Sequence, residues 1–346
     1  MLTDYYFNKL GPVEQVAYNA LRAALSNRDA TCTISGVPSS DDAHRILNAV
    51  VLDHPEFIHY PGLICIPLPT GADFRFNFQY TDVDTAAYDD KLNELLNKIN
   101  GKMSSTASDY DACKTIYDEL ASTIEYENEV LRQYLSLEQS NAGGMRDFVQ
   151  KYSASFTPYG VLLNRKGVCM GIAKLFKIIC DRFGLQCACV EAKTPDLPSY
   201  SPNNHLLNVV EIDGVRAFVD VTDGIPLNGL PIVMYDKFLV PHRVISKTLV
   251  VSDEFDCNSE ALTYFAANKL CFTSVHDLRV FLASYVRSST KGEIRCQYDG
   301  KLLTDQQLQN MFFEIINDHC PDGYTMQHCN VKNGFCTGLI TSDEEN

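Results

Sequence analysis

The stretch "NHLLNVVEIDGVRAFVDVTDG", residues 204 to 224, limits the fold more than any other part of the chain. Leu207 to Ile212 and Val215 to Val221 alternate as two strands, and only Asp213-Gly214 separates them. A two-residue Asp-Gly link is a strong signal for a tight hairpin, because both central positions must take positive φ. Such a turn fixes the register: Ile212 faces Val215, and Asp220 falls opposite Leu207. Side chains alternate with period two, so Leu207 shares a face with His205. His205 and Asp220 are then diagonal neighbours, within reach of an imidazole–carboxylate hydrogen bond. A slip of one residue would put them on opposite faces.

A partner for that pair stands upstream, in "LNRKGVCMGIAKLFKIICDRFGLQCACVEA". Ile172, Leu175, Phe176, Ile179 and Phe183 recur at helical spacing, which predicts a helix from Cys169 to Phe183 with Gly184 as its left-handed cap. Cys169 falls in the first turn, where unpaired N–H groups and the macrodipole favour a thiolate. Gly167 and Gly171 are expected to leave the nearby backbone open to a substrate carbonyl. A single cysteine is commonly just a small buried hydrophobe. A cysteine at a helix start with a facing His/Asp pair is different: Cys169, His205 and Asp220 make a nucleophile, a base and an orienter.

At these residues the chain resembles the transglutaminase-like superfamily, cysteine enzymes with a papain-like core. The motifs are "GVCMGIA", "HLLN" and "VDVT", in that order. The lead-ins "YSASFTPYGVLLNRKGVC" and "TIYDELASTIEYEN" resemble bacterial members. The resemblance covers about residues 105 to 250 and implies an α+β fold, with the nucleophile helix packed on an antiparallel sheet. It also implies roles: Cys169 attacks an amide carbonyl, His205 is base and then acid, and Asp220 fixes the imidazole. The thioester formed would pass to water in an amidase, deamidase or peptidase, or to an amine in a transglutaminase. Many members carry Trp where Leu207 and Asp223 stand here, and animal transglutaminases use a Trp to help hold the oxyanion. This chain has no Trp. The Cys169 N–H supplies one oxyanion donor; Tyr159, Tyr152 and Asn164 are candidates for the second. The alternative is a catalytically inactive scaffold for protein–protein binding.

The remainder of the chain divides into a mixed α/β module over residues 1–104, the core over 105–250 and an α+β module over 251–346. A first helix from Gly11 to Leu25 carries Val13, Val16, Ala17, Ala20, Leu21 and Ala24 as its apolar stripe. Ser39/Asp42 and Ser108/Asp111 open two further helices as capping boxes. "FRFNFQY" alternates as a half-buried strand, and "AAYDDKLNELLNKIN" returns to helix. After residue 250 the order is β-α-β-α-β-β, typical of a small α+β sandwich. "QSNAGGMRD" and "KTPDLPSYSPNN" read as loops, and the second, running into His205, is expected to border a substrate cleft.

Composition narrows the function. With 44 acidic residues against 29 basic, the net charge of −15 repels phosphate backbones, so no nucleic-acid partner is expected. Without a run of about 18 apolar residues or a Sec-type leader, no membrane partner is expected either. Thirteen cysteines, an odd number and without a CxxC, fit reduced thiols in a cytoplasm, with export by another route left open. Cys187 and Cys189 alternate as core residues of a strand. His319, Cys320, His328, Cys329 and Cys336 match no zinc spacing, and no Gly-rich phosphate loop occurs. No metal or cofactor is expected. The partner is a protein or peptide substrate; the oligomeric state is left open.

Overall fold

The computed structural model describes residues 2–57, 62–78, 82–137, 147–148, 151–195, 204–226, 232–288 and 292–342. Of the loop read at 139–147 only Asp147 is described, at a helical position; of the loop read at 193–204, residues 196–203 lie outside the described residues, as do the last four residues. The chain forms two compact units, Met1–Val233 with Lys237–Ser259, and Met234–Asp236 with Glu260–Asn346. The first 104 residues and the core, read as separate modules from sequence, cluster together in the first unit.

That unit begins with α1 (Pro12–Asn27), β1 (Thr31–Ser35), α2 (Ser40–Asp53), β2 (Gly62–Leu68) and β3 (Gly71–Asn77). The strands make an antiparallel sheet in the order β1-β3-β2, so the single strand read at Phe74 and Phe76 is the centre of three. Ser39 caps α2 by accepting from the Asp42 N–H. The buried face of α1 is Ala17, Tyr18, Leu21, Ala24 and Leu25, whereas Val13, Val16 and Ala20 face out. The expected stripe is therefore rotated. Tyr18 takes the inner position because its ring packs in the core while its hydroxyl donates to Asp53, an amphipathic fit a valine cannot make.

Two long helices follow, α3 (Asp82–Lys102) and α4 (Asp109–Thr123), the second opened by the reciprocal Ser108/Asp111 box. They are joined through the fully buried Glu119 of α4, which accepts 2.7 Å hydrogen bonds from Lys98 and Lys102 of α3. Burial alone would raise that carboxyl, but the two ammonium groups outweigh it and hold it below the usual range. Next come β4 (Glu125–Tyr126), α5 (Asn128–Leu137), α6 (Pro158–Asn164) and β5 (Lys166–Gly167). The central layer is α7 (Cys169–Arg182) against an antiparallel sheet β6-β7-β8 (Gln186–Ala192, His205–Ile212, Val215–Val219). Ile172, Leu175, Phe176 and Ile179 of α7 are all buried, each stabilising by roughly 1.5–3 kcal/mol.

The second unit has β9 (Cys271–Phe272), α8 (Val275–Ser288), β10 (Gly292–Tyr298), α9 (Asp305–His319), β11 (Tyr324–Lys332) and β12 (Phe335–Ser342). Its sheet order is β11-β12-β10-β9, and the two helices close one core through Leu278, Leu282, Leu308 and Phe312. All thirteen cysteines are free thiols. Among the described residues, no group of three or more His, Cys, Asp or Glu is arranged to hold a metal, and no helix is long and apolar enough to cross a membrane.

Gly167 and Gly171 have a packing role where an open approach for substrate was anticipated. A methyl on Gly171 would lie 2.6 Å from Val161 Cγ2, 2.9 Å from the Ser155 oxygen and 3.0 Å from the Thr157 oxygen. The start of α7 therefore presses against α6 and the turn before it, which only glycine permits. Gly171→Ala should lower stability by about 1–3 kcal/mol, the usual cost of overpacking, as read by urea denaturation. A change below about 0.5 kcal/mol would show that the contact relaxes freely.

Candidate active site

The hairpin pairs as its turn dictates, Ile212 with Val215 and Asn208 with Val219. Asp213 and Gly214 both have positive φ, at 50° and 78°. Asp220 follows directly after β8, and its Oδ2 lies 2.8 Å from Nε2 of His205 at the start of β7. That bond engages Nε2 and leaves the other ring nitrogen, Nδ1, clear of Asp220, and the charge of the imidazole acts on the sulfur of Cys169, the first residue of α7. The three residues that the sequence singled out are thus brought together.

Asn208, the residue three after His205, sets the spacing between helix and sheet. It is fully buried, and its Nδ2 donates to the Ala173 carbonyl of α7 at 3.0 Å and, at 3.4 Å, to that of Ala188 on β6. Sequence reasoning recorded it only as part of a motif. Lys237 was missed altogether. Its Nζ lies 3.7 Å from Asp220 Oδ2 and 3.0 Å from Asp223 Oδ1, so a second cation backs the carboxylate.

Electrostatics follow from this packing. Burial pushes the Cys169 thiol up, but the charge and hydrogen bond of His205, with the Leu206 N–H, outweigh it and hold the thiol below its ordinary value. Burial pulls His205 down, yet the charges of Asp220 and Cys169 raise it to about 10. Burial raises Asp220, and the His205 charge and hydrogen bond, with Lys237, lower it to about 2. All three shifts run in the direction that favours a thiolate, an imidazolium and a carboxylate.

Tyr126 meets the nucleophile from the other side. Burial first, and then the charges of Cys169 and Asp220 nearby, raise its phenol well above the ordinary value. Of the anticipated donors, Tyr159 stacks on Tyr88 at 5.8 Å, Tyr152 packs against Phe148 at 5.1 Å, and Asn164 is exposed at the end of α6. A cleft of about 620 Å³ opens beside Cys169 and His205. Its wall is largely apolar, including Leu47 and Val51 of α2, Leu63 of β2, Leu131 and Tyr134 of α5, and Phe156. The anticipated loop border at 196–203 lies outside the described residues; Asn204, at its end, lines the cleft.

This core is an α+β arrangement of a helix packed on an antiparallel sheet, with Cys169 opening α7, His205 opening β7 and Asp220 just after β8. No family model matches the chain, and no curated protein sequence does. Among solved structures, the chain is similar to a transglutaminase, at 17% identity over 49% of this chain and 45% of that one, with a TM-score of 0.34. It is also similar to a candidate cysteine protease of Cytophaga hutchinsonii, at 19% identity over 47% and 54%, with a TM-score of 0.26. A candidate protease of Parabacteroides distasonis matches at 10% identity over 45% and 35%, with a TM-score of 0.25. The chain spans about half or less of the length of these proteins.

The ion pair has a direct readout. A lowered thiol keeps its thiolate as pH falls, so iodoacetamide should alkylate Cys169 at pH 6 well ahead of the other cysteines. His205→Ala removes both of the imidazole's contributions that lower the thiol, and the rate at pH 6 should drop at least about tenfold, one unit of pKa being a factor of ten. Site-resolved mass spectrometry would show this, and equal rates in the two proteins would mean that no resting ion pair exists.

Proposed function

We propose that the protein carries out thiol-dependent amide chemistry on a protein or peptide, through a thioester on Cys169. One observation carries the reading: a lowered cysteine, a raised histidine and a buried carboxylate meet at one end of an apolar cleft. In this reading the Cys169 thiolate attacks the amide carbonyl and a tetrahedral adduct forms. The His205 imidazolium then gives its proton to the departing nitrogen, which leaves as a neutral amine. Asp220, backed by Lys237, keeps the imidazole oriented and stabilises its charge. The neutral imidazole next takes a proton from the incoming water or amine, which resolves the thioester and restores the pair.

The apolar wall suits a substrate that brings bulky apolar groups beside the amide, and its volume of about 620 Å³ falls in the range of ordinary ligand clefts. An inactive scaffold would have no use for the pair. Burying a thiolate and an imidazolium is costly, and neutral groups of the same shape would serve packing better.

The deciding experiment incubates wild type and Cys169→Ala with a mixture of protein-derived peptides, with and without a biotinylated alkylamine. Mass spectrometry then separates three outcomes: a one-dalton gain at Gln or Asn, cleavage of the chain, or attachment of the amine. At least one should appear with wild type and fall by about a thousandfold or more with the variant. Identical peptide spectra from the two proteins would reject amide chemistry.

A further inference from the structure

Among the described strands of the first sheet, β2 alone reaches the cleft, through Leu63. It is also an edge: β3 pairs with it on one side, and among the described residues no strand pairs with it on the other. The ladder shows which of its backbone groups point outward. On the far side of β3, the Phe76 N–H donates to the Ala30 oxygen and the Thr70 oxygen accepts from the Gly36 N–H. Successive residues turn their N–H and C=O groups to opposite sides, so even-numbered residues of β3 bond to β1 and odd-numbered ones to β2. Asp73 and Arg75 stand opposite Ile66 and Ile64, whose groups are therefore taken by β3. Leu63, Cys65 and Pro67 turn theirs to the open edge. Pro67 has no N–H to offer, which fits a strand position that the ladder does not use. The N–H groups of Leu63 and Cys65 have no hydrogen-bond partner among the described residues.

We infer that β2 is the docking edge for the substrate, an extended polypeptide segment that adds to it as a fourth strand and carries its amide into the cleft of Cys169. The inference rests on the reading of Cys169 as nucleophile and adds the form in which the substrate is held. Leu63 has its backbone groups on the edge and its side chain in the cleft wall, with Leu47 and Val51 of α2, so edge and cleft are one continuous surface. Strand addition recognises any chain in extended form through its backbone, and alternate side chains then select by filling pockets. Those on the face of Leu63 meet the apolar wall, and those on the face of the exposed Ile64 point to solvent. With two free N–H groups and Pro67 beyond them, the pairing is short. That suits a loop or an unfolded segment rather than the sheet of a folded partner.

The test tethers a peptide to the sulfur, so that docking is read without catalysis. Bromoacetyl-Leu-Thr-Leu-Thr amide alkylates a thiolate by displacement: an S–C bond forms at the methylene carbon, the C–Br bond breaks and bromide leaves. A second probe carries the bromoacetyl group at the C-terminal end, through a diaminoethane link, to cover the opposite strand polarity. Each rate at Cys169, read by site-resolved mass spectrometry, is divided by that of bromoacetamide, which has no strand to add. The proteins are wild type, Cys65→Pro and its reference Cys65→Ala, which also lacks the thiol but keeps the N–H. Proline at this position removes an N–H that β3 does not use, and an unchanged melting temperature would verify folding.

At least one probe should gain about tenfold over bromoacetamide where the Cys65 N–H is present and fall to within about threefold of it in Cys65→Pro, the order expected of a pair of backbone hydrogen bonds. In labelled wild type, hydrogen exchange should slow at the Leu63 and Cys65 amides and stay unchanged at Ile64 and Ile66, a readout independent of the proline variant. A gain that survives Cys65→Pro would place recognition in the side-chain pockets alone and overturn the inference, as would no gain with either probe. Protection of the Leu63 and Cys65 amides that grows with the concentration of unlabelled protein would put a second copy on the edge, which also overturns it. A Cys169 that reacts with bromoacetamide no faster than the other cysteines would sink the nucleophile reading, and the ratio between the reagents would still decide this one.

Discussion

The hydrogen bond between His205 and Asp220 depends on a turn that neither residue belongs to. Asp213 and Gly214 adopt left-handed backbone, which matches the right-handed twist of β7 and β8 and leaves one register available. From that register follow the shared face of the pair and the 2.8 Å bond. The sheet alone would not place Cys169. Asn208 does this, by spanning from the strand to the Ala173 carbonyl of α7, so that helix and hairpin move as one body. The electrostatics are then consequences of packing. Three ionisable groups and a lysine are held together in a largely buried site, where their charges are weakly screened and each shifts the next.

Close approach governs the other side of the nucleophile. The first turn of α7 lies hard against the 153–157 segment and α6, where the Val168 N–H donates to the Ser155 oxygen at 3.0 Å. Gly167 and Gly171 are required there because any larger residue would push the turn outward and carry the sulfur with it. The glycines thus serve the site indirectly, by setting the depth at which Cys169 sits. The parallel pairing of β4 with β5 uses the same narrow space to bring Tyr126 alongside.

Those parts of the structure written in local periodicity were legible from sequence. The hairpin, the helix from Cys169, the capped helices and the β-α-β-α-β-β order of the second unit all carry repeating signals that survive without tertiary information. The apolar stripe of α1 was misread because counting aliphatic residues gave Val13 and Val16 more weight than Tyr18, whose polar end finds Asp53. β1 was missed because all but two of its side chains are exposed, and β2 because its side chains are at most half buried and Pro67 interrupts it. Tyr126 sits in a strand of two residues, too short for any period, although "TIEYEN" had already been noted as part of the lead-in. Lys237 approaches from a segment with no regular structure, and only the folded chain brings it to Asp220.

The first residues of the chain are tied to the middle of it. Leu2 is fully buried and its N–H donates to the Gln186 side chain, while the Tyr6 hydroxyl donates to the Cys189 carbonyl at 2.9 Å. Asp53, at the end of α2, holds the same segment by accepting from the N–H groups of Tyr6 and Phe7. Synthesis runs from the N-terminus at about 5–20 residues per second, so this segment waits on the order of ten seconds or more for its partners to be made. A sheet-and-helix layer that contributes one wall of the cleft is therefore anchored late, after the strand that follows the nucleophile helix has emerged. The timing gives the nascent chain a built-in order: the residues of this wall are translated before the cysteine, and they are anchored only after the strand that follows its helix has been made.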